Sequence, residues 1–482
     1  MSGTLEFEFR FGKGKKGAPS RPSFRILVLA DLAGATARQL PLAQRFPQTV
    51  DIDNFAATLA AFAPTLTLPA SGDHAAPTGT LHFSRLDDLH PDAIYEMPPF
   101  AALRASREAL ADPQRSAMTA ADLGLSVEAP ARPESDADTL NRLLGGSATR
   151  ARPVTADIVN RLVRDVVTQH VSSDDRALRQ RALGEFDQRI ARHLRTILRD
   201  PAFRRLESAW RGIWHLVSEL SGDDEIQVDL LDLSRDELQA DLSAGGNALR
   251  AALADSVGED GPLSLIVADF SFTAAAADLD TLDALARLAM AADAPCLAAA
   301  QPALLGCASV DELADPAQWQ PLAPPLAERW QALRKSQAAA WLGLTLPRLL
   351  GRLPYGRNTD PVSAFAFEEV ADGAAHEDFA WENPVYAQAR LLGEAYAEDG
   401  DEMDISAYLE IDALPSYIVR DVRGDARQQA GAEVLLGETA ANAMLARGLM
   451  PLLSYRNRDA VRLLRWQSVA APARPLAGVF AT

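Results

Sequence analysis

Apolar and charged residues recur at helical spacing between Leu198 and Leu220. The apolar set, which falls on one face of a helix, comprises Phe203, Leu206, Trp210, Ile213, Trp214 and Val217. Asp200 stands where an N-cap accepts hydrogen bonds, and Pro201 occupies the first helical position, where no N–H is needed. The other face carries Arg204, Arg205, Glu207 and Arg211. The pattern predicts a core helix with both tryptophans buried and a charged outer face.

A strict alternation opens the chain at residues 5–11, LEFEFRF. Leu5, Phe7, Phe9 and Phe11 lie on one face of the predicted strand, and charged residues lie on the other. A Gly/Lys-rich segment follows, so residues 1–19 are predicted to be a strand on a flexible basic arm. Such a strand pairs with its own domain or adds to a neighbouring chain, and the sequence leaves both alternatives open.

The body of the chain divides into two predicted regions. Residues 20–110 combine short apolar strands with two helices, which indicates a small α+β domain. Residues 111–154 form a predicted linker, because they are rich in Ala, Asp, Pro and Ser and contain only one short apolar motif, at 139–146. Residues 155–470 begin with helices and continue with alternating strands and helices. Residues 471–482 are interpreted as a loose tail.

Within the second region, the order strand, helix, strand predicts right-handed crossovers and a mainly parallel sheet. The apolar run LSLIVADFSF at 263–272 is typical of a central strand that is covered on both faces. The predicted fold class is therefore α/β (α+β): a mixed, mainly parallel sheet flanked by helices, with a smaller N-terminal α+β domain.

Composition restricts the partners. The chain has 482 residues and a formal net charge of -19, which argues against nucleic acid and against an anionic membrane surface. No apolar run is long enough to cross a bilayer, and the N-terminus lacks the pattern of a signal peptide, so a cytoplasmic location is expected. Cys296 and Cys307 are too few for a disulfide framework or a four-ligand zinc site, and are interpreted as buried thiols.

No catalytic motif emerges from the residues. The strand–helix pattern invites a nucleotide-binding interpretation, but neither G-x-G-x-x-G nor G-x-x-x-x-G-K-[ST] occurs. The cluster His376-Glu377-Asp378 lacks a second group at metal-ligand spacing, so it is interpreted as a hydrogen-bonded loop rather than a base or a metal site. The sequence therefore predicts no cofactor and no enzymatic activity, and favours a role in protein interaction.

The helix with the two tryptophans carries a resemblance. Its sequence LRDPAFRRLESAWRGIWHLV resembles the large subunit of the type VI secretion contractile sheath (TssC, VipB or ImpC). Further segments in the same order, among them LIVADFSF and GLMPLLSYRNRDAVRLLRWQSV, extend the resemblance over roughly residues 155–469. Residues 20–110, including FRILVLADLAG, are similar to the small sheath subunit (TssB, VipA or ImpB). The chain thus resembles a fusion of the two subunits.

The resemblance implies a structural role. Sheath subunits of this family assemble into a cytoplasmic helical tube around an inner tube of Hcp protein, and the AAA+ ATPase ClpV dismantles it. The implied partners are the chain itself or other sheath subunits, Hcp, baseplate proteins and ClpV. The implied interaction residues are Leu5, Phe7, Phe9 and Phe11 of the arm and Arg204, Arg205 and Arg211 of the helix.

Two features of the resemblance leave alternatives open. The ATPase-contact helix of the family corresponds either to the motif at 139–146 or to Ile158–Val167. The part that resembles the large subunit is shorter at its C-terminus than is usual in the family, where this region supplies strands to neighbouring subunits. The alternative to a polymerising subunit is therefore an accessory or capping protein that binds a sheath or baseplate without extending it.

Overall fold

A computed structural model describes residues 24–125, apart from 35–37, 39 and 70–75, and residues 153–481, apart from 224, 371–374, 421–422, 424–425 and 457. Side chains are not described for residues 153–175, 255–260, 420 and 427. The predicted arm, with Leu5, Phe7, Phe9 and Phe11, and the motif at 139–146 lie outside the described residues. Ile158–Val167 lies on a helix, in its part without described side chains.

Fifteen strands are described. They are β1 Phe24–Ala30, β2 Gln48–Val50, β3 Thr65–Leu68, β4 Gly79–His82, β5 Ile226–Asp232, β6 Leu265–Phe272, β7 Cys296–Ala300, β8 Leu342–Leu346, β9 Leu349–Leu350, β10 Trp381–Glu382, β11 Glu410–Ile411, β12 Tyr417–Arg420, β13 Ala426–Gln429, β14 Met450–Ser454 and β15 Val461–Leu463. Nine of these strands form one sheet in the order β11-β15-β14-β8-β7-β6-β1-β5-β2. Its six central strands, from β14 to β5, are parallel, and antiparallel strands lie at both edges. The predicted mixed, mainly parallel sheet is confirmed.

Strand β1 joins the two predicted regions. It belongs to residues 20–110, yet it lies between β5 and β6, with Phe24 opposite Ile226 and Ile26 opposite Leu265. All seven of its residues are buried. Alternate side chains enter opposite cores, which explains why the strand is apolar on both faces. The two regions therefore share a single sheet, and their division into separate domains stays a prediction from sequence.

Twelve helices are described, and eight of them pack on the two faces of this sheet. The twelve are α1 Phe55–Phe62, α2 Pro91–Glu96, α3 Ala101–Ala111, α4 Ser116–Asp122, α5 Pro153–Leu198, α6 Pro201–Glu219, α7 Arg235–Ser243, α8 Asn247–Asp260, α9 Ala276–Ala291, α10 Pro324–Lys335, α11 Val385–Asp399 and α12 Glu438–Ala446. Residues of α1, α6 and α11 contribute to the core on one face, and residues of α7, α8, α9, α10 and α12 contribute to the core on the other. No described helix is long and apolar enough to span a membrane.

Helix α6 is the predicted tryptophan helix, and its start follows local sequence. The carboxylate of Asp200 accepts hydrogen bonds from the backbone N–H groups of Ala202 and Phe203. Trp210 is 1% exposed, and its Nε1 donates to the carbonyl oxygen of Leu32 at 3.0 Å. Trp214 is only partly buried. The expectation of burial is therefore met in full by Trp210 alone.

Two other segments differ from the sequence interpretation. The predicted linker is helical at its start, because α4 lies within residues 111–138. The tail at 471–482 is not loose over its described part. Leu476 and Phe480 are 0% and 1% exposed and belong to the same core as Trp210. Phe480 lies 6.1 Å from Phe24, ring centre to ring centre, so its partner comes from the other end of the chain.

Candidate interaction site at the carboxyl end of the parallel strands

The charged face of α6 is not uniformly exposed. Glu207 is 2% exposed, and its carboxylate accepts hydrogen bonds from Arg211 Nε at 3.0 Å and from Arg352 Nε at 2.6 Å. Arg352 also pairs with Glu369 at 2.6 Å. The prediction that Glu207 lies on an outer face is wrong, because a later segment supplies partners that compensate the cost of burying its charge.

The electrostatics of this ion network favour its ionised form. Burial opposes ionisation, yet the positive charges of Arg352 and Arg211 hold the pKa of Glu207 below its usual value. Arg211 Nη2 also donates to the hydroxyl oxygen of Tyr355 at 2.9 Å, and burial raises the pKa of that phenol to about 12. Arg211 therefore already has two partners inside the molecule. Its role in a subunit contact stays a prediction.

A cleft with a volume of about 630 Å³ opens beside the preceding turn of α6, outside the carboxyl ends of the parallel strands. Asp31 directly follows β1, Asp269 and Ser271 lie in the last part of β6, Gln301 follows β7, and Arg348 comes shortly after β8. In open α/β sheets, ligands bind outside the carboxyl ends of the strands, at the point where neighbouring crossovers leave on opposite faces of the sheet.

The connections that leave β1 and β6 pack on opposite faces of the sheet. The chain leaving β1 reaches β5 through α1 and α6, which pack on one face of the sheet. The chain leaving β6 reaches β7 through α9, which packs on the other face. A crevice results between the two diverging connections. Sequence reasoning missed it, although polar residues at the ends of successive apolar strands were a usable signal.

Five of the described residues that line the cleft are arginines, and three of these have carboxylate partners. The pairs are Arg199 with Asp378 at 2.6 Å, Arg235 with Asp278 at 2.5 Å and Arg348 with Glu433 at 2.5 Å. Sequence reasoning did not select these three arginines, because each pair joins distant segments or depends on the strand order.

The remaining two arginines, Arg204 and Arg205, have no ion pair among the residues that the structure describes. Arg204 Nε donates to the carbonyl oxygen of Leu198 at 3.1 Å, whereas its buried Nη2 has no hydrogen-bond partner there. Burial lowers the pKa of Arg204, although the carboxylates of Glu369 and Glu377 act in the opposite direction. Arg205 is exposed. Both were interaction candidates from sequence, and the structure brings both to the cleft.

None of the four carboxylates that line the cleft forms an ion pair with Arg204 or Arg205 among the described residues. Burial raises the pKa of Asp269 to about 7, and the Tyr386 hydroxyl donates a hydrogen bond to Asp269 at 2.8 Å. Asp31 is already paired with Arg38. The site therefore presents two guanidinium groups without an ion-pair partner among the described residues, and such groups suit a carboxylate or another anion.

The cluster around His376 lies beside this cleft. Its ring stacks on Trp381 with centres 5.1 Å apart, and Nε2 lies 2.9 Å from the Glu433 carboxylate. Although burial opposes protonation, the Glu433 carboxylate beside the ring raises the pKa of His376. This geometry agrees with a hydrogen-bonded loop. Within the described part of the chain, no group of three or more His, Cys, Asp or Glu residues is arranged to hold a metal ion.

Comparisons with known proteins find matches in both regions. Residues 180–470 match the family model VipB, described as EvpB/VC_A0108, tail sheath N-terminal domain. Residues 12–141 match the family model T6SS_VipA, described as type VI secretion system, VipA, VC_A0107 or Hcp2. The chain is also 29% identical over 339 residues to the type VI secretion system sheath protein TssC1 of Pseudomonas aeruginosa. The aligned region covers 67% of this chain and 68% of that protein.

These matches confirm the resemblance that the sequence carries. The VipB match covers more than half of the chain and includes α6, most of the cleft and most of the sheet. The VipA match includes β1, the central strand that completes this sheet. The chain therefore belongs to the type VI secretion sheath family and is a sheath component with a VipA-like part and a VipB-like part.

Proposed function

We propose that this chain is a fused small and large sheath subunit that assembles in the cytoplasm into a contractile tube around an inner tube. The observation that carries the proposal is the position of β1. This strand of the VipA-like part is paired along its whole length with β5 and along four residues with β6, both of the VipB-like part. The two parts together build the body of one subunit.

A fusion fixes the stoichiometry of the two parts. When two binding modules are linked, their association becomes intramolecular and no longer depends on the concentration of a separate partner. Here β1 cannot leave the sheet without exposing the apolar surfaces of both cores. Each copy therefore enters an assembly as a preformed pair of small-type and large-type parts.

The proposed role is structural rather than enzymatic. A contractile sheath works through changes of packing between subunits, so its essential residues lie at contacts. We assign the contacts to the arm, through Leu5, Phe7, Phe9 and Phe11, and to the arginine-lined cleft. The sheet offers the arm an edge at β2, a three-residue strand flanked by the exposed Phe46 and Ile52.

The proposed partners follow from this role. The chain contacts itself or other sheath subunits laterally, Hcp on the inside of the tube and baseplate proteins at one end, and ClpV disassembles the tube. The ATPase-contact helix is either the motif at 139–146 or Ile158–Val167.

Electron microscopy of the purified full-length chain, alone and mixed with sheath subunits and Hcp, tests the proposal. We expect tubes that contain the chain along their whole length. Chains found only at tube ends would favour the capping alternative, and chains that join neither tubes nor ends would overturn both. Replacing Phe7 and Phe9 with Asp is expected to abolish assembly if the arm links subunits. Replacing Arg10, on the polar face of the same predicted strand, with Asp is the matched control.

A further inference from the structure

Helix α11 runs from the carboxyl ends of the parallel strands to their amino ends. Near its start, Tyr386 donates to Asp269 at the carboxyl end of β6. Near its end, Tyr396 stacks on Phe24, the first residue of β1, with ring centres 4.9 Å apart. A helix of 15 residues is about 22 Å long. The segment after α11 therefore lies at the amino ends of the parallel strands, about one helix length from the cleft.

The last two residues of α11 and the segment that follows present an exposed group of carboxylates, which we call the acidic loop, residues 398–404. Its exposed acidic residues are Glu398, Asp399, Asp401, Glu402 and Asp404. Met403, within the loop, and Ile405, directly after it, are 3% and 6% exposed, so the core anchors the backbone. The Tyr408 hydroxyl lies within hydrogen-bonding distance of Glu398 at 2.9 Å and Asp399 at 3.1 Å. The loop is thus a fixed surface feature.

The charges of the acidic loop are opposite in sign to those of Arg204 and Arg205 in the cleft. Among the residues with described side chains, no ion pair engages the five carboxylates of the acidic loop or the guanidinium groups of Arg204 and Arg205. The loop and the cleft lie at opposite ends of the parallel strands, so they cannot meet within one molecule. Two copies placed head to tail bring one loop to one cleft, and repetition of that contact leaves a free loop and a free cleft at the two ends.

We propose that the cleft is a docking site for the acidic loop of a second copy of this chain. Carboxylates of the loop bind the guanidinium groups of Arg204 and Arg205 by charge-assisted hydrogen bonds. The cleft volume of about 630 Å³ lies in the range of sites that enclose several groups of a ligand. The contact is heterologous, so it generates a polar ring or filament rather than a closed dimer. The inference rests on the proposed function as a sheath subunit and names one of its contacts.

Charge reversal in the full-length chain tests this contact. Arg205→Glu changes the cleft, Glu402→Arg changes the loop, and both residues are exposed, so the fold is expected to persist. The third variant combines both changes in one chain. Lys335→Glu, an exposed cation at the end of α10 that is outside the cleft and the loop, is the matched control. Self-association is measured by analytical ultracentrifugation at one fixed salt concentration, and circular dichroism verifies the fold of each variant.

We expect each single reversal to weaken self-association by roughly tenfold or more, because a like-charge pair replaces an attractive pair. The combined variant is expected to recover most of the loss, because the reversed charges then face each other. The control is expected to associate like the wild type. Raising the salt concentration weakens the wild-type contact, since exposed charges are screened.

Three results would overturn the inference. The first is a wild-type chain that stays monomeric at all concentrations, and the second is an Arg205→Glu variant that associates like the control. The third is a loss with Arg205→Glu but not with Glu402→Arg, which would assign the cleft to another segment of the second copy. The measurement uses this chain alone. If the contact forms but the chain never joins a sheath, only the proposed function fails; if the chain joins a sheath but no reversal alters self-association, only this inference fails.

Discussion

Two successive turns of α6 carry charged residues in opposite environments. Glu207 and Arg211 are enclosed in an ion network with Arg352 and Glu369. Arg204 and Arg205, the latter exposed, line a cleft without a carboxylate partner among the described residues. One turn of the helix thus belongs to the interior and the turn before it to a surface that can bind.

The difference lies in what covers each turn. The segment around Arg352 brings one guanidinium between two carboxylates, so each buried charge has a partner of opposite sign. Over Arg204 and Arg205 the covering elements diverge at the cleft, where Arg205 is exposed to solvent and the buried Nη2 of Arg204 has no hydrogen-bond partner among the described residues. Charged residues of one helix therefore acquire structural or binding roles according to the neighbours that the fold supplies.

The largest effect is expected from breaking the network at its centre. Arg352→Met leaves Glu207 and Glu369 buried without their main partner, and we expect the free energy of unfolding to fall by about 3–5 kcal/mol. Urea denaturation measures the loss. Arg250→Met, at an exposed arginine of α8, is the control and is expected to change stability by less than about 0.5 kcal/mol. Equal losses in the two variants would show that the network does not stabilise the fold.

The second prediction concerns the cleft floor and is a pH dependence. The pKa of Asp269 is about 7 in the folded chain, against 3.8 as the ordinary value. Between these values the folded state holds a proton that the unfolded state has lost, so this group lowers stability as pH rises from about 4 to about 7. Asp269→Asn keeps an acceptor for the Tyr386 hydroxyl and removes the titration.

Urea denaturation at several pH values in this window tests the effect of Asp269. We expect the free energy of unfolding of the Asp269→Asn variant to rise relative to wild type as the pH increases from 4 to 7. A constant difference across the window would contradict the raised pKa.

A smaller effect is expected at the edge of the network. Arg211→Ala removes hydrogen bonds to Glu207 and Tyr355 but leaves the Arg352 pair in place. We expect a loss of about 1.5–3 kcal/mol, typical of a hydrogen bond to a charged group. The double variant Arg211→Ala with Tyr355→Phe measures the coupling between the two side chains. A loss as large as that of Arg352→Met would show that the two arginines contribute equally.

The smallest effect on folding is expected in the cleft. Arg205→Ala removes an exposed side chain without an ion pair among the described residues, so stability should change by less than about 0.5 kcal/mol. The same substitution is expected to weaken self-association, because it removes one of the two guanidinium groups that have no ion-pair partner among the described residues. Thermal unfolding and ultracentrifugation on the same samples separate the two effects. A large loss of stability would assign Arg205 to the structural network instead.

The candidate site was partly predictable. The sequence selected Arg204 and Arg205 because they lie on the polar face of a strongly patterned helix. It missed Arg199, Arg235 and Arg348, whose place in the cleft depends on the strand order of the sheet. It also grouped Arg211 with the surface arginines, because helical spacing alone does not indicate which segment of the chain will cover a face.

The sequence by itself determined the local elements and the family. The Asp200 cap, the proline after it and the apolar stripe define α6 through interactions within a few residues, and collinear motifs identify the sheath family. Only the tertiary structure placed β1 between β5 and β6, buried Phe480 and separated the enclosed charges from the open ones. The physical reason is that burial and charge compensation depend on partners distant in sequence: Arg352 is 145 residues from Glu207.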